Sequence, residues 1–273
     1  MLPNFLFISI LSSFILTHSH SQCIDYQKNL LLQLKNELIF NSPLSSKLSQ
    51  WNQTDNCCKW QGVGCDVSGN VVTLQLNNES ISGGVNDSSS LFKLEHLHKL
   101  NLAYNDFKRA PISKGIRSLT NLTHLNLSYA AFGGQVAAEI LSLKRLGSLD
   151  ISNDYRGNAR YHTLLLNMNP LKLDHPNLEM LVGNLTGLPE LYLDGVNVTS
   201  SHERKEWSRV ISSFLPNITG LSLCRCSLFG PLFKSFWKLR SLSVLRLDLN
   251  DLSRVVPDMF ASFDIRYSKF GKS

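Results

Sequence analysis

Leucines recur along this chain in a fixed frame, and that frame limits the fold more than any other feature. One copy reads Leu97-His98-Lys99-Leu100-Asn101-Leu102-Ala103-Tyr104-Asn105-Asp106-Phe107. The spacing returns at Leu122 and Leu242, with weaker copies from Val71, Leu146, Leu188 and Ile218. Successive copies stand 26, 25, 24, 42, 30 and 24 residues apart. Any amphipathic helix can supply one such run. Seven in register require stacked coils, each too small to bury its apolar face without a neighbour.

The unit L-x-x-L-x-L-x-x-N is that of a leucine-rich repeat. Alternation within it turns the leucines inward and the intervening residues outward. The expected fold is therefore an α/β solenoid with a short parallel sheet on its concave face. About seven repeats fill residues 71–263. The ninth position favours Asn, whose amide satisfies turning backbone groups. Here that column reads Glu79, Asn105, Ala130, Asp154, Val196, Cys226 and Asn250. Ala130 and Val196 offer no such bonds, so less regular turns are expected there. Cys226 is read as structural, and Cys224, on the outward register, as free. Register is lost between 152 and 187, where an irregular insert is expected. Leu178, Leu181, Leu185 and Leu188 return there at helical spacing.

The ends of the chain differ from its middle. Residues 1–22 read as a signal peptide, because the apolar run from Phe5 to Leu16 is too short to span a bilayer. No later stretch reaches the length of a membrane span, so the expected location is secreted and extracellular. Export makes the cysteines interpretable as an oxidised framework. Cys23, Cys57, Cys58 and Cys65 crowd residues 23–70, the expected N-terminal cap. Zinc is the alternative use of four cysteines, but the compartment disfavours it. Adjacent cysteines rarely bridge, so Cys58 is paired with Cys65, leaving Cys57 for Cys23. Asp25 is expected to cap a helix running to about Leu38, and Trp51 and Trp60 to supply a small core. Glycosylation sequons begin at Asn52, Asn78, Asn86, Asn121, Asn126, Asn184, Asn197 and Asn217.

Residues 23–65 resemble the N-terminal cap of plant extracellular leucine-rich-repeat proteins, through Cys58-Lys59-Trp60-Gln61-Gly62-Val63-Gly64-Cys65. Val72-Thr73-Leu74-Gln75-Leu76, Leu191-Tyr192-Leu193-Asp194-Gly195-Val196 and Val256-Pro257-Asp258-Met259-Phe260-Ala261 extend the likeness over about residues 22–263. They are similar to stretches of the Verticillium-wilt-resistance class of plant receptor-like proteins. That resemblance implies recognition of pathogen-derived or endogenous extracellular ligands in defence, with a receptor kinase as co-receptor. Full-length members are anchored in the cell membrane. Residues 264–273 depart from the repeat frame, so the chain reads as the N-terminal part of a longer receptor-like product.

The chemistry-bearing residues point to binding. The chain shows no nucleophile elbow, phosphate loop, zinc-protease or kinase motif, and no enzyme activity or cofactor is expected. A net charge of +6 is spread over scattered basic residues, which gives no nucleic-acid patch. The outward columns of the concave face supply the candidate ligand-binding residues Asn101, Tyr104, Asp150, Tyr192, Asp194, Arg246 and Asp248. Tyr129 adds a second aromatic anchor beside Tyr104. A rigid polar array suits an extracellular protein, peptide or glycan. The alternative is a secreted inhibitor of pathogen wall-degrading enzymes of the polygalacturonase-inhibitor kind, which shares the cap and the repeat.

Overall fold

The computed structural model describes residues 22–153, 170–199, 201–252 and the strand 264–266. The expected signal segment, Asp154, the polar part of the insert and the phrase Val256–Ala261 lie outside these residues, apart from Gln22.

The cap begins with helix α1, Asp25–Glu37. Its N-cap is Ile24 with no side-chain bond, so Asp25 is not the cap but the acid of the first turn. There it faces the positive end of the helix dipole. Leu30, Leu31 and Leu34 are buried along one face, as their spacing requires. The helix ends at Leu38, before Asn41-Ser42-Pro43, because Ile39–Phe40 leave it to pair antiparallel with Ile81–Gly83. Cys23 is bridged to Cys57 and Cys58 to Cys65, each pair with Cα atoms 5.5 Å apart. Trp51 and Trp60 stack at 5.2 Å inside this frame, both buried.

Strands β1 (Val63–Cys65) and β2 (Val71–Gln75) pair antiparallel and open the concave sheet. Parallel strands follow: β3 (Lys99–Asn101), β4 (His124–Asn126), β5 (Ser148–Asp150), β6 (Glu190–Tyr192), β7 (Gly220–Ser222), β8 (Val244–Arg246) and β9 (Asp264–Arg266). All nine form one sheet. Leu74, Leu100, Leu125, Leu149, Leu191, Leu221, Leu245 and Ile265 lie opposite one another in register. Strand β9 corrects the expected departure from the repeat frame at residues 264–266. Its Ile265 pairs in register with Leu245, so residues 264–266 add an eighth parallel rung.

The irregular insert leaves the concave register intact. Strands β5 and β6 are direct neighbours, with Asp150 opposite Tyr192. The concave ladder is therefore continuous from β5 to β6, and the described part of the insert, Leu171–Leu173 and Leu178–Asn184, packs on the far side. Regular coils cross that side with short 3-10 turns such as Ser90–Lys93, Lys114–Ser118 and Ala138–Ser142. The two longer coils replace the turn with helix α2 (Leu178–Asn184) and helix α3 (Ser201–Phe214). Asn177 caps α2 by accepting from the Met180 N–H. Leu178, Leu181 and Leu185 are buried beneath it, while Leu188 already belongs to the next coil. Leu171–Leu173 pairs with Gly134–Gln135 and with Asn197–Val198 in a second, three-stranded parallel sheet.

Turn chemistry follows the ninth position. Asn105 donates to the carbonyls of Leu76, Leu102 and Ala103 and accepts from the N–H groups of Glu79 and Ile81. Asn250 repeats the pattern on Leu223, Leu247, Asp248, Cys226 and Leu228. Cys226 fills part of that role, its thiol donating to the Leu193 and Cys224 carbonyls. Glu79 does something else. Its buried carboxylate accepts from the Ser45 and Ser46 hydroxyls and the Lys47 N–H, and pairs with the Lys47 ammonium at 3.5 Å. It ties the first coil to the cap.

Candidate concave binding site

Two columns meet on the concave face. The strand column runs Gln75, Asn101, Asn126, Asp150, Tyr192, Ser222 and Arg246. Its side chains stand above the sheet, and the shorter ones curl forward. Asn101 accepts from the Ala103 N–H, Asn126 from the Ser128 N–H and hydroxyl, and Asp150 from the Ser152 N–H.

The column two residues on was expected to be outward as well. Instead Ala103, Ser128, Ser152, Asp194, Cys224 and Asp248 are all buried. Strands about 4.8 Å apart leave no solvent gap above small side chains, and Asn101, Asn126 and Asp150 fold forward over Ala103, Ser128 and Ser152. Asp194 is thus only 3% exposed, accepting from the Ser222 hydroxyl and the Cys224 N–H. The Cys224 thiol lies 3.5 Å from Asp248 and is pushed up to about 11 by burial and by the Asp194 charge. Burial holds the Cys226 thiol well above its ordinary value too. Neither sulfur is bridged, and neither has the thiolate character of a reactive cysteine.

The next position carries the aromatic pair. Tyr104 and Tyr129 have φ of 57° and 53°, a left-handed backbone that glycine adopts freely and tyrosine does not. Asn78, Gly195, Arg225 and Leu249 share it in their own coils. A ladder runs along this position: its N–H donates to the preceding position's carbonyl in the next coil. Asn78 bonds Ala103, Tyr104 bonds Ser128, Tyr129 bonds Ser152 and Arg225 bonds Asp248. The two tyrosine rings stack at 5.2 Å with planes 9° apart.

These columns enclose a shallow depression of about 270 Å³, lined by Tyr104, Tyr129, Asp150, Ser152, Tyr192, Asp194, Ser222 and Arg246. Of the seven residues expected from the sequence, it gathers Tyr104, Asp150, Tyr192, Asp194 and Arg246. Asn101 and Asp248 are not in its lining; Asp248 is buried beneath the face. Gly220 was not singled out, yet a side chain there would collide with the Tyr192 hydroxyl. Only its lack of a Cβ lets the ring lie across β7. A glycine in a column otherwise filled by Lys99, His124, Ser148 and Glu190 was the available signal.

The electrostatics are unbalanced. Arg246 sits 4.0 Å from Asp194. Burial raises the Asp150 carboxyl above its ordinary range, against hydrogen bonds from Ser152 and Ser128, and the Asp194 charge raises it further. Burial and the charges of Glu190 and Asp150 raise the Tyr192 phenol. In the cap, the four cysteine sulfurs lie within 4.8 Å of one another, the arrangement zinc would need. Both pairs are bridged, so no thiolate is left to bind a metal.

Comparison with known proteins places this geometry. Residues 24–66 match the leucine rich repeat N-terminal domain. The chain is 29% identical over 248 residues to Receptor-like protein 6 of Arabidopsis thaliana, covering 85% of this chain and 23% of that protein. It is 33% identical over 244 residues to Receptor-like protein Cf-9 of Solanum pimpinellifolium, covering 84% and 26%. The chain therefore spans about a quarter of the length of these relatives. Its fold is that of the Arabidopsis receptor kinase HAESA, solved with the peptide hormone IDA and the co-receptor SERK1. The TM-score is 0.58 at 22% identity, over 89% of this chain and 41% of HAESA.

Proposed function

We propose that this chain, a leucine-rich-repeat protein of the plant receptor-like type, binds an extended extracellular peptide or protein segment along its concave face. The observation that carries this reading is the depression itself. Its lining comes from six successive coils, from Tyr104 to Arg246. At about 4.8 Å per strand that is roughly 24 Å, the reach of an extended segment rather than of a compact metabolite. The side chains are pre-ordered by ring stacking, by Gly220 and by serine hydrogen bonds, which lowers the entropic cost of binding. HAESA, of the same fold, holds a peptide together with a co-receptor.

The family resemblance gives the reading its setting: perception of a pathogen-derived or endogenous ligand outside the cell, in defence, with a receptor kinase as partner. Among the described residues no helix is long and apolar enough to cross a membrane. Binding rather than catalysis is supported by the state of the acids. Asp194 is occupied by Ser222 and Cys224, and the cysteine sulfurs nearby are held as thiols. The wall-enzyme-inhibitor alternative is built from regular coils, whereas two coils here carry α2 and α3.

The test is surface plasmon resonance of the purified glycoprotein against microbial and plant extracellular peptides. Any ligand found is then measured on a Tyr104→Ala, Tyr192→Ala double variant. Two aromatic anchors at an interface centre are worth about 2 kcal/mol or more, so affinity falls at least about 30-fold. Unchanged affinity moves the site off this face.

A further inference from the structure

We infer that the depression around Asp150 receives a cationic group of the ligand, an ammonium or guanidinium. This rests on the concave-face reading above and names the chemistry that the face selects. Two carboxylates, Asp150 and Asp194, line the depression against one cation, Arg246. Arg246 is committed to Asp194. The hydrogen-bond donors on Asp150 are uncharged serine groups, and the like charge of Asp194 acts on it as well. Among the described residues no cation is paired with this carboxylate. Three tyrosine rings, Tyr104, Tyr129 and Tyr192, share the same lining. Aromatic faces attract cations, more strongly where water is partly excluded. An anion there would meet two carboxylates, and a neutral group would leave Asp150 half-buried and uncompensated. The depression holds one such group and part of its stem, so the cation is one anchor of a longer ligand.

Two sources share this chemistry: a Lys or Arg side chain of a peptide, and a free organic amine. Methylguanidinium chloride is the first probe, titrated into the full glycosylated chain with tyrosine-ring NMR as readout and sodium chloride at equal ionic strength as reference. Saturable shifts of the Tyr104, Tyr129 and Tyr192 rings are expected, absent in Asp150→Asn and retained in the exposed control Asp106→Asn. Shifts no larger than those from sodium chloride overturn the inference, as do shifts that persist in Asp150→Asn. Panning a random heptapeptide library separates the sources. A peptide ligand enriches Arg or Lys about tenfold at one position, and Asp150→Asn loses that preference. Binders without charge preference, with methylguanidinium still shifting the rings, assign the site to a free amine. Enrichment of Asp or Glu overturns the inference but leaves concave-face binding standing. Binders that lose affinity in neither Asp150→Asn nor the tyrosine double variant contradict the concave-face reading instead.

Discussion

Glu79 and Asp150 are both acids set into the same sheet, yet the two regions treat them in opposite ways. At the cap junction burial alone would raise the Glu79 carboxyl, but bonds from Ser45, Lys47, Leu48 and Ser46 outweigh it and the net shift is downward. At the concave centre burial prevails, and Asp150 is shifted upward. The sign of linkage follows. Glu79 contributes stability that is present above the ordinary glutamate pKa and lost as pH falls through its lowered folded value. Asp150 does the reverse: folding favours its protonated form, so stability declines as pH rises through its raised folded value. One region spends its polar groups on holding the chain together; the other keeps a charge that the fold alone would discard. That contrast sets an acid that clamps the fold apart from the acid proposed to bind.

The comparison can be broken from the structural side first. Replacing Cys23 and Cys57 together by Ala removes a bridge across 34 residues of the cap and costs about 2–5 kcal/mol by chemical denaturation. A smaller loss would mean that Trp51 and Trp60 hold the cap unaided. Asn105→Ala strands carbonyls of two coils and two N–H groups, and costs about 2–4 kcal/mol. Glu79→Ala leaves the Lys47 N–H and the Ser45 hydroxyl without their acceptor and costs about 1–3 kcal/mol at neutral pH, read as a lowered Tm. That loss shrinks in acid, where the wild-type carboxyl is protonated too.

From the binding side, methylguanidinium affinity falls as pH drops through the raised Asp150 value. The groups facing it are Asn126 and Ser128 on one side, Glu190, Tyr192 and Asp194 on the other, and Arg246 beyond. Glu190, Asp194 and Arg246 carry the charge around Asp150, whose own carboxyl is shifted upward by burial. A flat profile would show that Asp150 does not hold the cation.

Much of this was legible in the leucine frame. The frame placed the strands because an inward leucine every second residue leaves no other register, and cysteine spacing was enough to pair the cap. The buried column from Ala103 to Asp248 was not legible. Alternation puts it outward, and only the neighbouring coil and the curled Asn and Asp side chains cover it. The unbroken step from Asp150 to Tyr192 was hidden as well, since a gap of 42 residues looks the same whether the extra chain leaves from the concave or the far side. Glu79 stood in the Asn column as a misfit, and its reason, the Ser45–Lys47 loop, lies more than thirty residues away. Tyr104 and Tyr129 were recognisable as anchors, but their stacking depends on the left-handed ladder that aligns them.

Thermal unfolding of Asp150→Asn beside the wild type, from acid to neutral pH, tests the central contrast most directly. The variant is expected to be the more stable at neutral pH, with the difference vanishing in acid where both carry a neutral group at this position. A variant that is less stable at neutral pH would make Asp150 a clamp like Glu79, and the concave acid would no longer mark a binding site.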